Sequence, residues 1–142
     1  MTLVEHLKKQ ALTISFAESM TGGALSKYIT QFSGASNVFK GSIVCYDTQV
    51  KVDILGIPQQ LIKTHGVVSH NVCEAMAISC KRMFKSDIAV SITGYAEGIH
   101  KDIFVGISYK DTQVFHIKRK AQNRAQIIDD IVSWIVDKIF VL

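Results

Sequence analysis

Between Leu12 and Phe32 the hydrophobic period of the chain changes. Leu12, Ile14 and Phe16 alternate with polar positions, which is the pattern of a strand. From Gly22 onward Leu25, Tyr28, Ile29 and Phe32 fall on one face at helical spacing. A strand that hands over to a helix within a few residues lays that helix back over its sheet. The handover is the segment Ala17-Glu18-Ser19-Met20-Thr21-Gly22-Gly23. Its adjacent glycines let the backbone approach a ligand closely. Unpaired N–H groups at Thr21, Gly22 and Gly23 would favour an anion or a developing negative charge. Ser19 therefore reads either as a nucleophile with electrostatic help or as an ordinary helix cap. Glu18 reads as a carboxylate favoured at a helix start.

The rest of the chain repeats the alternation. Leu3, Val4 and Leu7 predict a short opening helix, and Val38 to Tyr46 a second strand. Thr48 is placed to cap a short helix stopped by Gly56 and Pro58, and Gln59 to Thr64 reads as another helical turn. Ser69 caps a longer helix bearing Val72, Cys73, Met76, Ala77, Cys80 and Phe84. Ile88 to Thr93 has the short apolar run of a buried strand. Ile103–Tyr109 and Val114–Lys118 read as a hairpin around Lys110-Asp111. Asn123 with Gln126 resembles a capping box ahead of a last helix carrying Ile127, Ile131, Trp134 and Ile135. This order predicts a single α/β domain over residues 1–142, a three-layer α/β/α sandwich on a mixed, mostly parallel sheet.

Composition narrows the function classes. The 142 residues are 48% hydrophobic and 20% charged with one proline, which suits one globular domain without linker or repeat. The formal charge of +4 permits anionic ligands without requiring nucleic acid. Lys118, Arg119, Lys120 and Arg124 gather the positive charge, and no aromatic residues interleave with them as a stacking platform needs. They read as a solvated strand end and helix start or as a phosphate-attracting site. Three cysteines, Cys45, Cys73 and Cys80, form no CxxC pair, so neither a disulfide framework nor a zinc site is expected. His65 and His70 lack a third ligand at sensible spacing, so no metal and no cofactor are expected. Met1 to Gln10 has no signal-peptide apolar region, and no run reaches membrane-spanning length. A reducing, cytoplasmic home follows as the expectation.

Three groups outline a hydrolytic site. Ser19 follows the first predicted strand, Tyr46 ends the second, and Lys51 lies in the first turns of the helix behind it. Neighbouring strand ends can converge on one sheet edge, where α/β folds place ligands. A serine needs a base to take its proton, and lysine serves only if its pKa falls far below about 10.4. Burial among Val50, Ile54 and Leu55 would press it that way, and Tyr46 would orient the amine or relay a proton. Thr93-Gly94, at another strand end, would line the same crevice. Each group also has an ordinary structural reading: Tyr46 closing the core with a wet hydroxyl, Lys51 on the surface, Thr93-Gly94 a turn.

The segments quoted so far form a larger pattern. Ala17–Gly23 resembles the opening motif of the CinA C-terminal domain family, the nicotinamide-nucleotide amidases. Gly41-Ser42-Ile43-Val44-Cys45-Tyr46-Asp47-Thr48-Gln49-Val50-Lys51, Leu55-Gly56-Ile57, His65-Gly66-Val67-Val68-Ser69 and Ser91-Ile92-Thr93-Gly94 are similar to its further motifs, in its order. The resemblance implies the three-layer fold, self-association, and hydrolysis of nicotinamide mononucleotide to nicotinate mononucleotide and ammonia. It implies catalytic roles for Ser19, Tyr46 and Lys51 and no metal; with no apolar run of membrane length and no aromatics among the basic residues, a small-molecule nucleotide is the expected partner ahead of a membrane or nucleic acid. Thr21, Gly22, Gly23, Thr93, Gly94 and Arg124 are the expected substrate-binding positions. The chain departs from the pattern in the loop Tyr95–Asp102, which is shorter and lacks proline, at Phe104, and at Ile128, where a second arginine often stands. These departures keep a second reading open, a nucleotide-binding module without catalysis, and the basic cluster a third, a nucleic-acid surface.

Overall fold

The computed structural model describes residues 1–120 and 123–142. β1 (Ile14–Glu18) is buried along its whole length, as a central strand covered on both faces must be. It pairs in parallel with β2 (Phe39–Val44) on one side and β3 (Ile88–Gly94) on the other. β4 (Asp102–Tyr109) runs antiparallel to β3, and β5 (Asp111–Lys118) antiparallel to β4. In the order β2-β1-β3-β4-β5, every strand except β4 therefore points the same way. The sheet is mixed and mostly parallel.

Alternation along the strands divides the core in two. Ile14, Phe16, Val90, Ile92 and Val105 face α1 (Leu3–Lys9), α2 (Ala24–Thr30) and α6 (Arg124–Phe140). Ala17, Ala89 and Cys45 face the other layer, built from α3 (Thr48–Asp53), α4 (Gln59–His65) and α5 (His70–Phe84). The side chains beneath α5 are small, so that helix settles deep onto the sheet. A methyl at Gly106 would stand 2.5 Å from the Ser91 hydroxyl and 3.1 Å from the Cys73 carbonyl. The Ser91 hydroxyl is itself committed to that carbonyl at 2.7 Å, so buried polarity under α5 is satisfied.

Several boundaries differ from the sequence expectation, each for a local reason. β1 starts at Ile14 and extends to Glu18, because pairing with β2 and β3 begins only there. α2 ends at Thr30, which leaves Phe32 beyond it but still packed on the core. Thr48 lies inside α3, whose cap is Asp47, accepting from the Gln49 amide at 2.6 Å. β5 opens at Asp111, with the turn carried by Lys110 at φ 64°. Asn123 caps α6, but the Gln126 side chain bonds Asp130 instead of closing the box. Ser69 caps α5.

Candidate active site

Parallel neighbours deliver their carboxyl ends to one edge of a sheet. β1 ends at Glu18, β2 at Val44 and β3 at Gly94, so Ser19, Tyr46 and Thr93 arrive side by side. The Cys45 amide donates to the Glu18 carbonyl at 2.8 Å, which carries the β1–β2 pairing one step past the strand ends. A cleft of about 270 Å³ opens there, near the lower end of small-molecule sites. Ser19, Tyr46, Lys51, Thr93, Gly94 and Arg124 all line it.

Lys51 reaches the cleft from α3 and is 1% exposed. Its Nζ lies 3.0 Å from Ser19 Oγ, 2.7 Å from the Cys45 carbonyl and 3.5 Å from the Tyr46 carbonyl. All three partners are neutral, and among the described residues no carboxylate forms an ion pair with this amine. Burial pushes the Lys51 pKa below its ordinary value, while Cys45 and Asp47 pull it partly back. A neutral amine has two N–H bonds and one lone pair. The two carbonyls can only accept, so they take the N–H bonds. In that neutral form the lone pair faces the one partner that can donate, the Ser19 hydroxyl; the ammonium form donates to Ser19 Oγ as well. The neutral arrangement is the geometry of a base addressing a nucleophile.

Tyr46 enters differently from the sequence expectation. Its carbonyl faces the amine, but the residue is 58% exposed and its phenol accepts from Arg124 Nη2 at 2.7 Å. The phenol stands on the rim, bonded to α6, and not between Lys51 and Ser19. Arg124 also pairs with Glu97 at 3.0 Å, so the first residue of α6 ties the end of β2 to the loop after β3.

Thr21, Gly22 and Gly23 lie outside the cleft lining. The Gly22 and Ala24 amides turn inward to the Ser19 and Thr21 carbonyls at 3.1 and 3.0 Å, and Glu18 takes the next amides, in the first turn of α2. The Glu18 carboxylate is fully buried and accepts from the Leu25 and Ser26 amides at 2.9 Å each. It also accepts from the Thr21 and Ser26 hydroxyls at 2.7 and 2.5 Å. Ser19 therefore does not cap α2: Gly23 holds the cap position without a side-chain bond, the Glu18 carboxylate serves the first-turn amides, and the Ser19 hydroxyl is left to face Lys51. Gly22 and Gly23, at φ 60° and 104°, make the turn that carries the chain from Ser19 into the helix.

Sequence reasoning missed Met20, Thr48, Val67 and Val68 in the lining. The last two are held in place because the Thr93 hydroxyl donates to the Val67 carbonyl at 3.1 Å. The basic cluster resolves into separate ties. Lys118 pairs with Asp102, Arg119 donates to the carbonyls of Gly98 and His100, and Arg124 serves the cleft rim. Among the described residues no group of three or more His, Cys, Asp or Glu side chains is placed to hold a metal ion. No helix among them is long and apolar enough to cross a membrane.

Comparison with known proteins agrees with this architecture. A "CinA-like protein" of Prochlorococcus marinus (strain MIT 9215) is 39% identical over 135 residues, covering 88% of this chain and 32% of the relative. A protein of Bacillus cereus, named for competence-damage induction, is 40% identical over 114 residues, 76% of this chain and 28% of its own length. The chain thus spans about a third or less of these curated relatives. Among solved structures, a CinA superfamily protein from Klebsiella pneumoniae 700603 superposes with a TM-score of 0.92 at 16% identity, over 97% of this chain and 91% of that one. A competence/damage inducible protein from Agrobacterium tumefaciens gives 0.89 at 24% identity, over 98% and 90%. These likenesses show the shared fold. The model of the CinA C-terminal domain matches residues 1–139, and on that match the chain belongs to the CinA C-terminal domain family.

Proposed function

We propose that the chain is an amidohydrolase that cleaves the carboxamide of nicotinamide mononucleotide, giving nicotinate mononucleotide and ammonia. The observation that carries this reading is the 3.0 Å contact between Ser19 Oγ and the buried, carboxylate-free amine of Lys51. Ser19 Oγ attacks the amide carbon while its proton passes to Lys51 Nζ. As the tetrahedral intermediate collapses, Lys51 returns that proton to the departing nitrogen, and ammonia leaves. A water then attacks the acyl-enzyme, with Lys51 again taking the proton and handing it to the Ser19 oxygen. Tyr46 acts from the rim, where its phenol holds Arg124 over the cleft. Arg124, Thr93 and Gly94 contact the rest of the nucleotide. The cleft of about 270 Å³ suits a mononucleotide better than a dinucleotide or a polymer.

Purified protein is expected to release ammonia from nicotinamide mononucleotide, and Ser19→Ala to abolish the release. Binding of that nucleotide by calorimetry with no ammonia at high protein concentration would overturn the hydrolase in favour of a binding module.

A further inference from the structure

The cleft is lined by three charged side chains, Lys51, Glu97 and Arg124. At the mouth of the cleft stand one carboxylate and one guanidinium 3.0 Å apart. Their charges offset each other, so the carboxylate weakens the pull of Arg124 on an incoming anion. The guanidinium is also occupied on both terminal nitrogens, Nη1 by Glu97 and Nη2 by the Tyr46 phenol. A phosphate binds arginine best through two parallel N–H donors, and Glu97 and Tyr46 already hold two of the five N–H groups.

Glu97 is held where it stands. Its loop is closed at the base by the Tyr95 amide on the Asp102 carbonyl at 3.1 Å and the Arg119 amide on the Lys101 carbonyl at 2.9 Å. The Arg119 side chain fastens the carbonyls of Gly98 and His100, and the Tyr95 and His100 rings pack with centroids 5.1 Å apart. The carboxylate is thus presented to Arg124 by a tethered segment.

We propose that Glu97 is a specificity-determining residue: its carboxylate is a resident counterion on Arg124, and an anionic group of the substrate competes with it for that guanidinium. The inference rests on the amidohydrolase reading for the substrate it concerns, but not for its own test. Both side chains are largely solvent-accessible, at 73% for Glu97 and 41% for Arg124. Exchange therefore costs little, and the residue tunes affinity for phosphorylated amides without forbidding them. Discrimination between a nucleotide and its nucleoside is compressed relative to a cleft that keeps the arginine alone.

The test titrates inorganic phosphate calorimetrically into the full chain, Glu97→Gln, and Glu97→Gln combined with Arg124→Gln. Glu97→Gln is expected to tighten phosphate about three- to tenfold, and the gain to vanish in the double variant. In turnover assays the ratio of kcat/KM for nicotinamide mononucleotide over its riboside rises by the same factor. Phosphate affinity that is unchanged or weaker in Glu97→Gln, absent from both proteins, or still raised in the double variant overturns the proposal. Tighter phosphate without ammonia release from either amide would sink the hydrolase and leave the role of Glu97 standing. Ammonia release with unchanged phosphate affinity would do the reverse.

Discussion

Lys51 answers two opposed demands. A base must be uncharged, and burial presses Lys51 that way by making the ammonium expensive. The same burial works against folding wherever the unfolded chain would carry the proton. Activity and stability therefore depend on pH through one group. Because the Lys51 pKa is lowered from 10.5, kcat/KM for ammonia release is expected to rise with pH and level off at a midpoint below that value. A midpoint at or above it would show that burial does not set the base. Between the lowered folded value and 10.5 the unfolded state binds the extra proton, so stability of the folded state rises with pH there. Below the folded value both states hold the proton and the dependence on this group ends. Denaturation across that window should show the native protein gaining on Lys51→Met with pH, by up to about 1.4 kcal/mol per unit. A flat difference would place a charged lysine in the fold. Lys51→Met is also expected to lower kcat/KM by about a thousandfold or more.

At the level of elements, the join of β1 and α2 carries the most meaning. A helix of seven residues has little stability of its own. Leu25 and Ile29 anchor it by burial, about 1.5–3 kcal/mol each, and Glu18 holds its first turn. Glu18→Ala would leave the buried Leu25 amide, the part-buried Ser26 amide and the Thr21 hydroxyl without this partner, while the Ser26 hydroxyl keeps Ser42, so a loss of about 3 kcal/mol is expected in chemical denaturation. A change under about 1 kcal/mol would show that water replaces the carboxylate freely. Gly106→Ala tests the opposite layer. Its methyl would collide with Ser91 and Cys73, and about 1–3 kcal/mol should be lost as α5 is lifted. How far these elements could be read in advance follows the physics. The strand-to-helix change at Ser19 and the Ser69 cap rest on local patterns, and local patterns are visible in a sequence. The group that serves the first-turn amides of α2 is not local: Glu18 sits in the last position of a strand and folds its side chain forward across the glycine turn. Nothing in the spacing distinguishes it from Ser19 in that role. The Asp47 cap and the opening of β5 at Asp111 were lost to similar competition between neighbouring polar residues.

Across the whole molecule, the cleft is assembled from segments that meet only through long-range pairing, and of the basic residues near Lys118 it takes in Arg124 directly and Arg119 through the loop after β3. Sequence reading could bring Ser19 and Lys51 to one sheet edge because each lies at a strand end or in the helix just after one. It could not find the orientation of the Tyr46 phenol or the tie from Arg119 to the Gly98–His100 carbonyls, since both depend on where α6 and β5 come to rest. Arg119 follows the last residue of β5 and spans back to the loop that supplies Tyr95, Ala96 and Glu97 to the cleft wall. It touches no cleft-lining atom through these bonds, so its part is to position. Removing the guanidinium leaves the loop closed at its base by backbone bonds but free at its tip. The wall would then sample more positions, and ordering it would be charged against substrate binding instead of against the Ser19–Lys51 step. Arg119→Gln is accordingly expected to raise KM for the nucleotide about fivefold while kcat falls much less, with Arg119→Lys recovering little because a single ammonium cannot span both carbonyls. Steady-state kinetics decide it. A fall in kcat with KM unchanged would mean that the tether acts on the chemical step, and that the loop and the Ser19–Lys51 pair are one mechanical unit.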